Sequence, residues 1–413
     1  MSGKLTEAEA ETYLIERCFT VHRPRRIGVE LEWLVRRAGD RAAPVSRELS
    51  RSAVAPLEAA SPLRGGGLVT REPGGQIELS SRPADSLGAL LADVETDLAV
   101  LAGALAARGL VIDGNGLDSC RESHRVLDDR RYRAMEAYFS DQPSGRTVMC
   151  STASVQVNLD AGTEHGIFGH RRRWHLAHRL GPVLVASFAN SPLRDGRPTG
   201  WKSTRQALWF QIDPGRTFPV PDEHDVRAAW ARYALDARLL CLKRDAADHW
   251  NAPPGLTFRA WLRGEGGERH PTVDDLDYHL GTLFPPVRPR GWLELRMIDA
   301  QNGDDWIVPV ALCAALFDHP GATVTAWEAT EPLAAGRLHP PWETWRLAAR
   351  EGLDAPAVRE AAQACFTAAE SALARSGAPA KAQTSLRDFA SRYIDRGRTP
   401  ADDQLPTHQE FSS

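Results

Sequence analysis

The stretch Arg26-Ile27-Gly28-Val29-Glu30-Leu31-Glu32-Trp33 constrains this chain more than any other. In an extended strand successive side chains alternate between faces, so Glu30 and Glu32 project to one side and Val29, Leu31 and Trp33 to the other. Two acids on one strand face repel each other and call for a counter-charge. Taken alone, the pair also fits an edge strand whose polar face meets water. The rest of the chain must show whether other walls of a cation site exist.

Four further stretches read as strands of the same kind. Leu68–Ser80 carries Pro73-Gly74-Gly75 as a turn, after which Gln76, Glu78 and Ser80 face one way and Ile77 and Leu79 the other, with Glu72 at the turn. Val148–Asp160 places Gln156, Asn158 and Asp160 opposite Val155, Val157 and Leu159. Gln206–Asp213 alternates Leu208, Phe210 and Ile212 against Trp209, Gln211 and Asp213, and reads as a strand too. Gly291–Asp299 sets Glu294 and Arg296 on one face, opposite Leu293 and Leu295.

Between these strands the apolar period lengthens to that of helices. Leu5–Phe19 is expected to be a helix with Thr6 and Glu9 in capping-box spacing, and Ser86–Arg108 a second one, stopped by Gly109. Residues 36–67 read as irregular. The segment 166–190 is helical and holds His175 and His178. Their HxxH spacing sets the rings about 300° apart on a helical wheel, so they read as a core or surface pair and not as zinc ligands. Asp222–Arg244, Thr257–Arg263 and Thr272–Leu283 are expected helices, the last capped by Thr272 and Asp275. The loop 189–205 gathers Arg194, Arg197, Lys202 and Arg205, which could be surface solvation or a hold on anionic substrate groups. Its glycine-rich part, Asp195–Ser203, is the candidate lid. Helices fill 305–393 as a cover, and 398–413, polar with scattered proline, is expected to be disordered. With no repeat or linker, residues 1–397 are expected to be a single catalytic domain, with the motifs in 26–301.

Composition excludes several functions. The 413 residues carry a net charge of −4, so no global basic field gathers nucleic acid or acidic membrane. No apolar run of about twenty residues predicts a membrane span. Met1–Thr20 lacks a basic start followed by an apolar run, so no secretory signal is expected. Six cysteines lie singly without a CxxC pair, which argues against a zinc motif or a disulfide framework. The expected compartment is the cytoplasm.

The polar faces of the strands are biased to Glu, Gln, Asn and Asp. Turned inward on a curved sheet, such faces make an oxygen-rich site for Mg²⁺ or Mn²⁺. Several carboxylates exceed what one Mg²⁺ needs, so two or three ions with a nucleoside triphosphate between them would balance the charge.

The strings Gly28-Val-Glu-Leu-Glu32, Glu72-Pro-Gly-Gly-Gln-Ile-Glu-Leu-Ser80, Val155-Gln-Val-Asn-Leu-Asp160, Ala189-Asn-Ser-Pro192 and Leu293-Glu-Leu-Arg296 resemble the motifs of the glutamate-cysteine ligases. The likeness is to the plant-type branch and, within it, to the actinobacterial group of the ergothioneine pathway. It spans residues 26–301. The resemblance implies an α+β fold: an antiparallel sheet curved into a funnel with outer helices, the carboxylate-amine ligase fold related to glutamine synthetase. It implies that ATP phosphorylates the side-chain carboxylate of L-glutamate, and that the amine of L-cysteine displaces phosphate to give γ-glutamylcysteine for ergothioneine biosynthesis.

Carried over by position, the resemblance makes Glu30, Glu32, Glu72, Glu78 and Glu294 metal ligands. Gln156 joins them, where some members have a metal-binding histidine. Arg296 would steady the transferring phosphoryl group, with Glu294 beside it. Asn158, Lys202 and Arg296 would bind ATP, and Arg205, Trp209, Asp213 and Trp201 would shape the amino-acid pocket. The plant enzymes' redox disulfide finds no footing in isolated cysteines. Two other readings stay open: a ligase of the same fold using another amine, and a metal-binding module without catalysis.

Overall fold

The structure, a computed structural model, describes residues 4–20, 25–244, 249–266 and 269–405. Nine strands occur among them: β1 (Ile27–Arg37), β2 (Leu68–Arg71), β3 (Ile77–Ser80), β4 (Leu110–Asp113), β5 (Ser154–Asp160), β6 (Leu193–Arg194), β7 (Arg197–Pro198), β8 (Val287–Pro289) and β9 (Trp292–Asp299). Every pairing is antiparallel. The main sheet runs β2-β3-β1-β5-β9-β8, with β4 on the far end of β1, and β6 and β7 form a separate hairpin. The sheet is open, with β2 and β8 at its edges, while the α+β class and the antiparallel sheet with outer helices agree with the expectation.

Strand register puts the predicted polar residues on one face. Glu32 lies opposite Glu78, and Glu30 lies between Ser80 and Gln156. Asn158 pairs with Glu294, and Glu294 with Arg288. Residues opposite each other across a ladder share a face, so these rows fix the floor of one polar surface.

The other face is the core. Val29, Leu31, Trp33, Ile77, Leu79, Val155, Val157, Leu159, Leu293 and Leu295 are buried within a cluster that continues to Ile394. The helices Leu87–Ala106, His170–Ser187 and Ile307–Asp318 pack on this apolar side, and Pro356–Ser376 and Ala380–Phe389 pack against the last of these. The capping box at Thr6 and Glu9 forms, as does the one at Thr272 and Asp275. Among the described residues, no single helix is long and apolar enough to cross a membrane.

Four sequence expectations need correction. Residues 36–67 are not irregular throughout: β1 runs on to Arg37, and Arg47–Ala59 is a helix capped by Ser46. Arg36 is buried there on Asp113 and Asp118, at 2.8 and 2.7 Å. Val148–Ser151 belongs to a helix, Gly145–Ser151, so the third strand starts at Ser154. Gln206–Asp213 is not a strand: Thr204–Trp209 is helical, and the Ser203 hydroxyl caps it by accepting from Gln206 N at 3.2 Å. The Asp222–Arg244 helix spans only Val226–Asp236.

The segment after Arg398 is docked and not free. Pro400 and Ala401 are buried, and Ala401 N donates to Ala189 O at 2.9 Å. The expectation for 406–413 lies outside the described residues.

Gly181 shows how tightly the helical layer sits. A Cβ there would stand 1.8 Å from Cη2 of Trp345, which is fully buried, whereas a Cβ on Gly103 would meet nothing within 4 Å. Gly181→Ala should therefore destabilise the fold by about 1–3 kcal/mol through overpacking. Gly103→Ala, in the last turn of its helix and unobstructed, should stabilise it by up to about 0.5–1 kcal/mol. Thermal unfolding of both variants checks the opposite signs.

Candidate active site

The polar face floors a cavity of about 390 Å³. Glu30 and Glu32 from β1, Glu72 from the β2–β3 turn and Glu78 from β3 line one side. Arg288, Arg290 and Arg296 from the β8–β9 hairpin and Arg205 from the helix Thr204–Trp209 line the other, with Arg131 and Tyr132 above. The cavity is thus split by charge into an acidic wall and a guanidinium wall.

The β2–β3 turn places Glu72. Gly75 N donates to Glu72 O at 2.8 Å, and Gly75 adopts φ +86, which favours glycine. Gly74 passes so close to the Gly145–Ser151 helix that a Cβ would sit 1.9 Å from Cys150 O. The two glycines of the motif are therefore steric requirements.

The acids differ in their surroundings. Glu32 accepts from Ser154 Oγ at 2.9 Å and Gln156 Nε2 at 2.8 Å, and Glu30 from Asn158 Nδ2 at 3.1 Å. Glu78 accepts from Ser80 Oγ at 2.8 Å. Burial, reinforced by the charge of Glu32, pushes the Glu72 carboxyl up to about 7. Burial, with the charges of Glu72, Glu30 and Glu32, raises Glu78 well above the usual range, and burial with the charge of Glu294 raises Glu30. Clustered carboxylates without cations between them hold protons.

Glu294 behaves oppositely. It is fully buried, and burial would raise its pKa, but Arg288 and Arg296 overcome that and hold it at about 2. Arg288 grips it in a bidentate fork, Nε to Oε2 at 3.0 Å and Nη2 to Oε1 at 2.7 Å, and Arg296 also donates to Oε1. Arg296 donates as well to Gln156 Oε1.

The structure therefore gathers Glu30, Glu32, Glu72, Glu78, Gln156, Arg205, Trp209 and Arg296 around one cavity, with Glu294 beneath them. Asn158 is set differently, in an adjoining cavity of about 600 Å³ with Trp292, Arg17 and Arg26; Glu30 and Arg290 belong to both.

Three predicted residues lie elsewhere. Lys202 pairs with Asp402 and, at 3.3 Å, with Asp354. Asp213 is buried with Arg216 and Arg238, at 3.1 and 3.0 Å, and Tyr138 donates to it. Trp201 packs on the apolar core. Nor does Asp195–Ser203 cover the cavity. Its end is pinned by Lys202 N to Arg350 O and Ser203 N to Ala349 O, and it lines neither wall.

Sequence reasoning missed Arg288 and Asp299. The Arg290-Gly291 step between the two stretches is a turn signal that could have paired Arg288 with Glu294, and in the structure Gly291 closes that hairpin at positive φ. Asp299 is buried, accepts from Ser191 Oγ at 2.7 Å and Ser203 Oγ at 2.9 Å, and stands 3.7 Å from Arg205.

Comparison with known proteins gives the family. Residues 26–411 match the family described as Glutamate-cysteine ligase family 2 (GCS2), and the chain belongs to that family. It is 40% identical over 386 residues to glutamate–cysteine ligase EgtA of Mycolicibacterium smegmatis, covering 92% of this chain and 86% of that protein. It is 38% identical over 409 residues to glutamate–cysteine ligase EgtA of Mycobacterium tuberculosis, covering 97% and 90%. The chloroplastic glutamate–cysteine ligase of Medicago truncatula is 33% identical over 58% of this chain and 47% of its own length. Among solved structures, glutamate–cysteine ligase of Francisella tularensis in complex with AMP shares the fold, with a TM-score of 0.53 at 11% identity over 93% of this chain and 85% of that one. The resemblance read from the strand motifs is borne out.

The raised carboxyls generate a pH test. A folded-state pKa above the unfolded value favours folding below the unfolded pKa, and that contribution is lost as pH rises toward the folded value. For Glu78 the loss begins near its ordinary value of 4.5 and continues as pH rises toward its raised folded-state value. Without metal, Glu78→Gln should melt close to wild type near pH 4.5 and progressively higher than wild type as pH rises above it. Excess Mg²⁺ should shrink or reverse that gap, because only wild type keeps the full acid set. Melting curves across pH, with and without Mg²⁺, read both effects.

Proposed function

We propose that this protein is an ATP-dependent glutamate–cysteine ligase whose reaction occurs in the charge-divided cavity. The observation that carries the proposal is the opposition of four glutamates and a cluster of arginines across one small space, in a chain of this family. ATP transfers its γ-phosphoryl group to the side-chain carboxylate of L-glutamate, releasing ADP. The amine of L-cysteine then attacks the acyl carbon, phosphate leaves, and γ-glutamylcysteine forms.

Glu30, Glu32, Glu72 and Glu78 suit Mg²⁺ or Mn²⁺, since hard cations take carboxylate oxygens and offset the burial and mutual repulsion that raise Glu72 and Glu78. Two ions would balance four carboxylates. Bound there, the ions neutralise phosphate charge and align the transferring group. Glu294 and Gln156 are better read as positioning residues than as ligands: one is engaged by two guanidiniums, the other by Arg296 and Glu32. Arg296, a lining residue whose Nη1 is held by Glu294 and Gln156, would supply positive charge to the phosphoryl oxygens, since phosphoryl transfer rests on positioning and charge neutralisation.

The adjoining cavity of about 600 Å³ suits the nucleoside. Trp292, 36% exposed, offers a face for the purine, and its Nε1 is tied to Asn158 Oδ1 at 3.0 Å. Phosphates extending from there pass Glu30 and Arg290, common to both cavities. Arg205 and Trp209 are left to hold glutamate. A single catalytic domain in the cytoplasm, supplying γ-glutamylcysteine to ergothioneine biosynthesis, is the accompanying proposal.

A coupled ADP assay tests this reading. ADP should form with L-glutamate and L-cysteine and require Mg²⁺; equal rates with alanine would defeat the cysteine assignment, and no ADP with any amine would leave a binding module. Glu78→Gln should abolish turnover, and Arg296→Gln should lower kcat on the order of 10³-fold.

A further inference from the structure

Away from the charge-divided cavity, the fold assembles a histidine cluster that the ligase chemistry leaves unused. His175 and His178 come from the helix His170–Ser187, and His339 from the segment before the helix Trp342–Glu351. All three rings are buried. His175 Nδ1 and His339 Nε2 stand 2.9 Å apart, and His178 stacks on His339 with ring centroids 4.0 Å apart and planes 3° from parallel. Asp222, exposed, completes the group: one ligand atom each from His175, Asp222 and His339 lies within 4.8 Å of the others.

The sequence reading set zinc aside because His175 and His178 point in different directions. That argument holds for the pair, yet the structure replaces His178 with two ligands from elsewhere in the chain. His178 Nδ1 donates to Trp174 O at 2.9 Å, and the ring serves as packing.

Two features favour a cation here over a simple hydrogen-bonded pair. The facing imidazole nitrogens, His175 Nδ1 and His339 Nε2, can share only one proton, and a carboxylate stands within ligand reach of both rings. The Asp222 carboxylate is fixed from behind by Leu338 N, which donates to Oδ2 at 3.0 Å, one residue before His339. The nearby Arg179 is already paired with Glu331.

Small shifts would bring the three atoms to one ion. Two nitrogens about 2.0–2.1 Å from one tetrahedral zinc ion stand about 3.3 Å apart, so the rings open by about 0.4 Å, and the Asp222 carboxylate, within 4.8 Å of both, closes by up to about 1.5 Å. Asp222 lies on the wall of a surface cavity of about 490 Å³, which gives an ion its way in. Imidazole nitrogens with one carboxylate select zinc-class ions over Mg²⁺.

We propose that His175, His339 and Asp222 form a binding site for a divalent transition metal of the zinc class, separate from the carboxylate cavity, with a fourth position open to solvent. The ion ties three segments, the His170–Ser187 helix, the chain before Val226 and the chain before Trp342, into one corner of the helical layer.

Co²⁺ added to metal-stripped protein in excess Mg²⁺ tests this, because Mg²⁺ occupies carboxylate sites and tetrahedral Co²⁺ absorbs strongly in the visible. One equivalent should give an intense tetrahedral spectrum that Zn²⁺ abolishes. Asp222→Asn, a surface change, should weaken Co²⁺ binding by at least about 10–100-fold, and His339→Gln by no less, provided circular dichroism shows it folded. Ligase activity with Mg²⁺ should survive Asp222→Asn. A weak octahedral spectrum, unchanged affinity in Asp222→Asn, or loss of binding in Glu78→Gln instead would overturn the proposal.

Discussion

The buried carboxylate of Glu294 is the constraint around which the site is built. An ionised acid with no exposure survives only if its charge is matched and its oxygens are hydrogen-bonded, and here Arg288 and Arg296 do both. From that anchor a line of polar contacts crosses the sheet: Arg288 to Glu294, Glu294 to Arg296, Arg296 to Gln156, Gln156 to Glu32, Glu32 to Ser154. It links β8, β9, β5 and β1. The guanidinium wall and the acidic wall are thereby held in register by side chains as well as by the backbone ladder.

The two walls carry unequal electrostatic loads. Arg288 and Arg296 have Glu294 between them, whereas Glu72 and Glu78 have each other and Glu32 nearby, and the more distant charges of Arg131 and Arg296 do not offset burial and repulsion at Glu72. The acidic wall is consequently destabilised until cations arrive. Binding of hard ions is coupled to proton release there, so metal affinity rises with pH as the raised carboxyls ionise. Preorganised repulsion on one side and preorganised attraction on the other suit a substrate that brings both ions and phosphates.

Much of this floor was legible because strand alternation is a local property. Glu30, Glu32, Glu78, Gln156 and Glu294 could be assigned to faces from period two alone, and the register then set them side by side. Gln206–Asp213 shows where the same logic fails. It alternates by composition, yet Ser203 and Gln206 stand in capping spacing and start a helix, which turns Arg205 toward Asp299. The fates of Lys202 and Asp213 were not legible at all. Their partners include Asp402, 200 positions away, and Arg238, and no local pattern announces such pairs. Motif resemblance placed them near substrate; tertiary contacts spend their charges on the scaffold.

The C-terminal helical part, which no motif explained, reaches the site by a similar route. Gln404 Nε2 donates to Asn190 Oδ1 at 2.6 Å, and Asn190 in turn donates to Gly114 O, Ala300 O and Asp299 Oδ2, each at 2.9 Å. Asp299 is the carboxylate beside Arg205. The segment after Arg398 thus braces the strand end that carries one wall of the cavity. Because Asn190 and Asp299 are buried, displacing the segment would leave Asn190 Oδ1 short of the donor that Gln404 supplies. The helical cover and its docked tail are therefore part of what keeps the guanidinium wall in place.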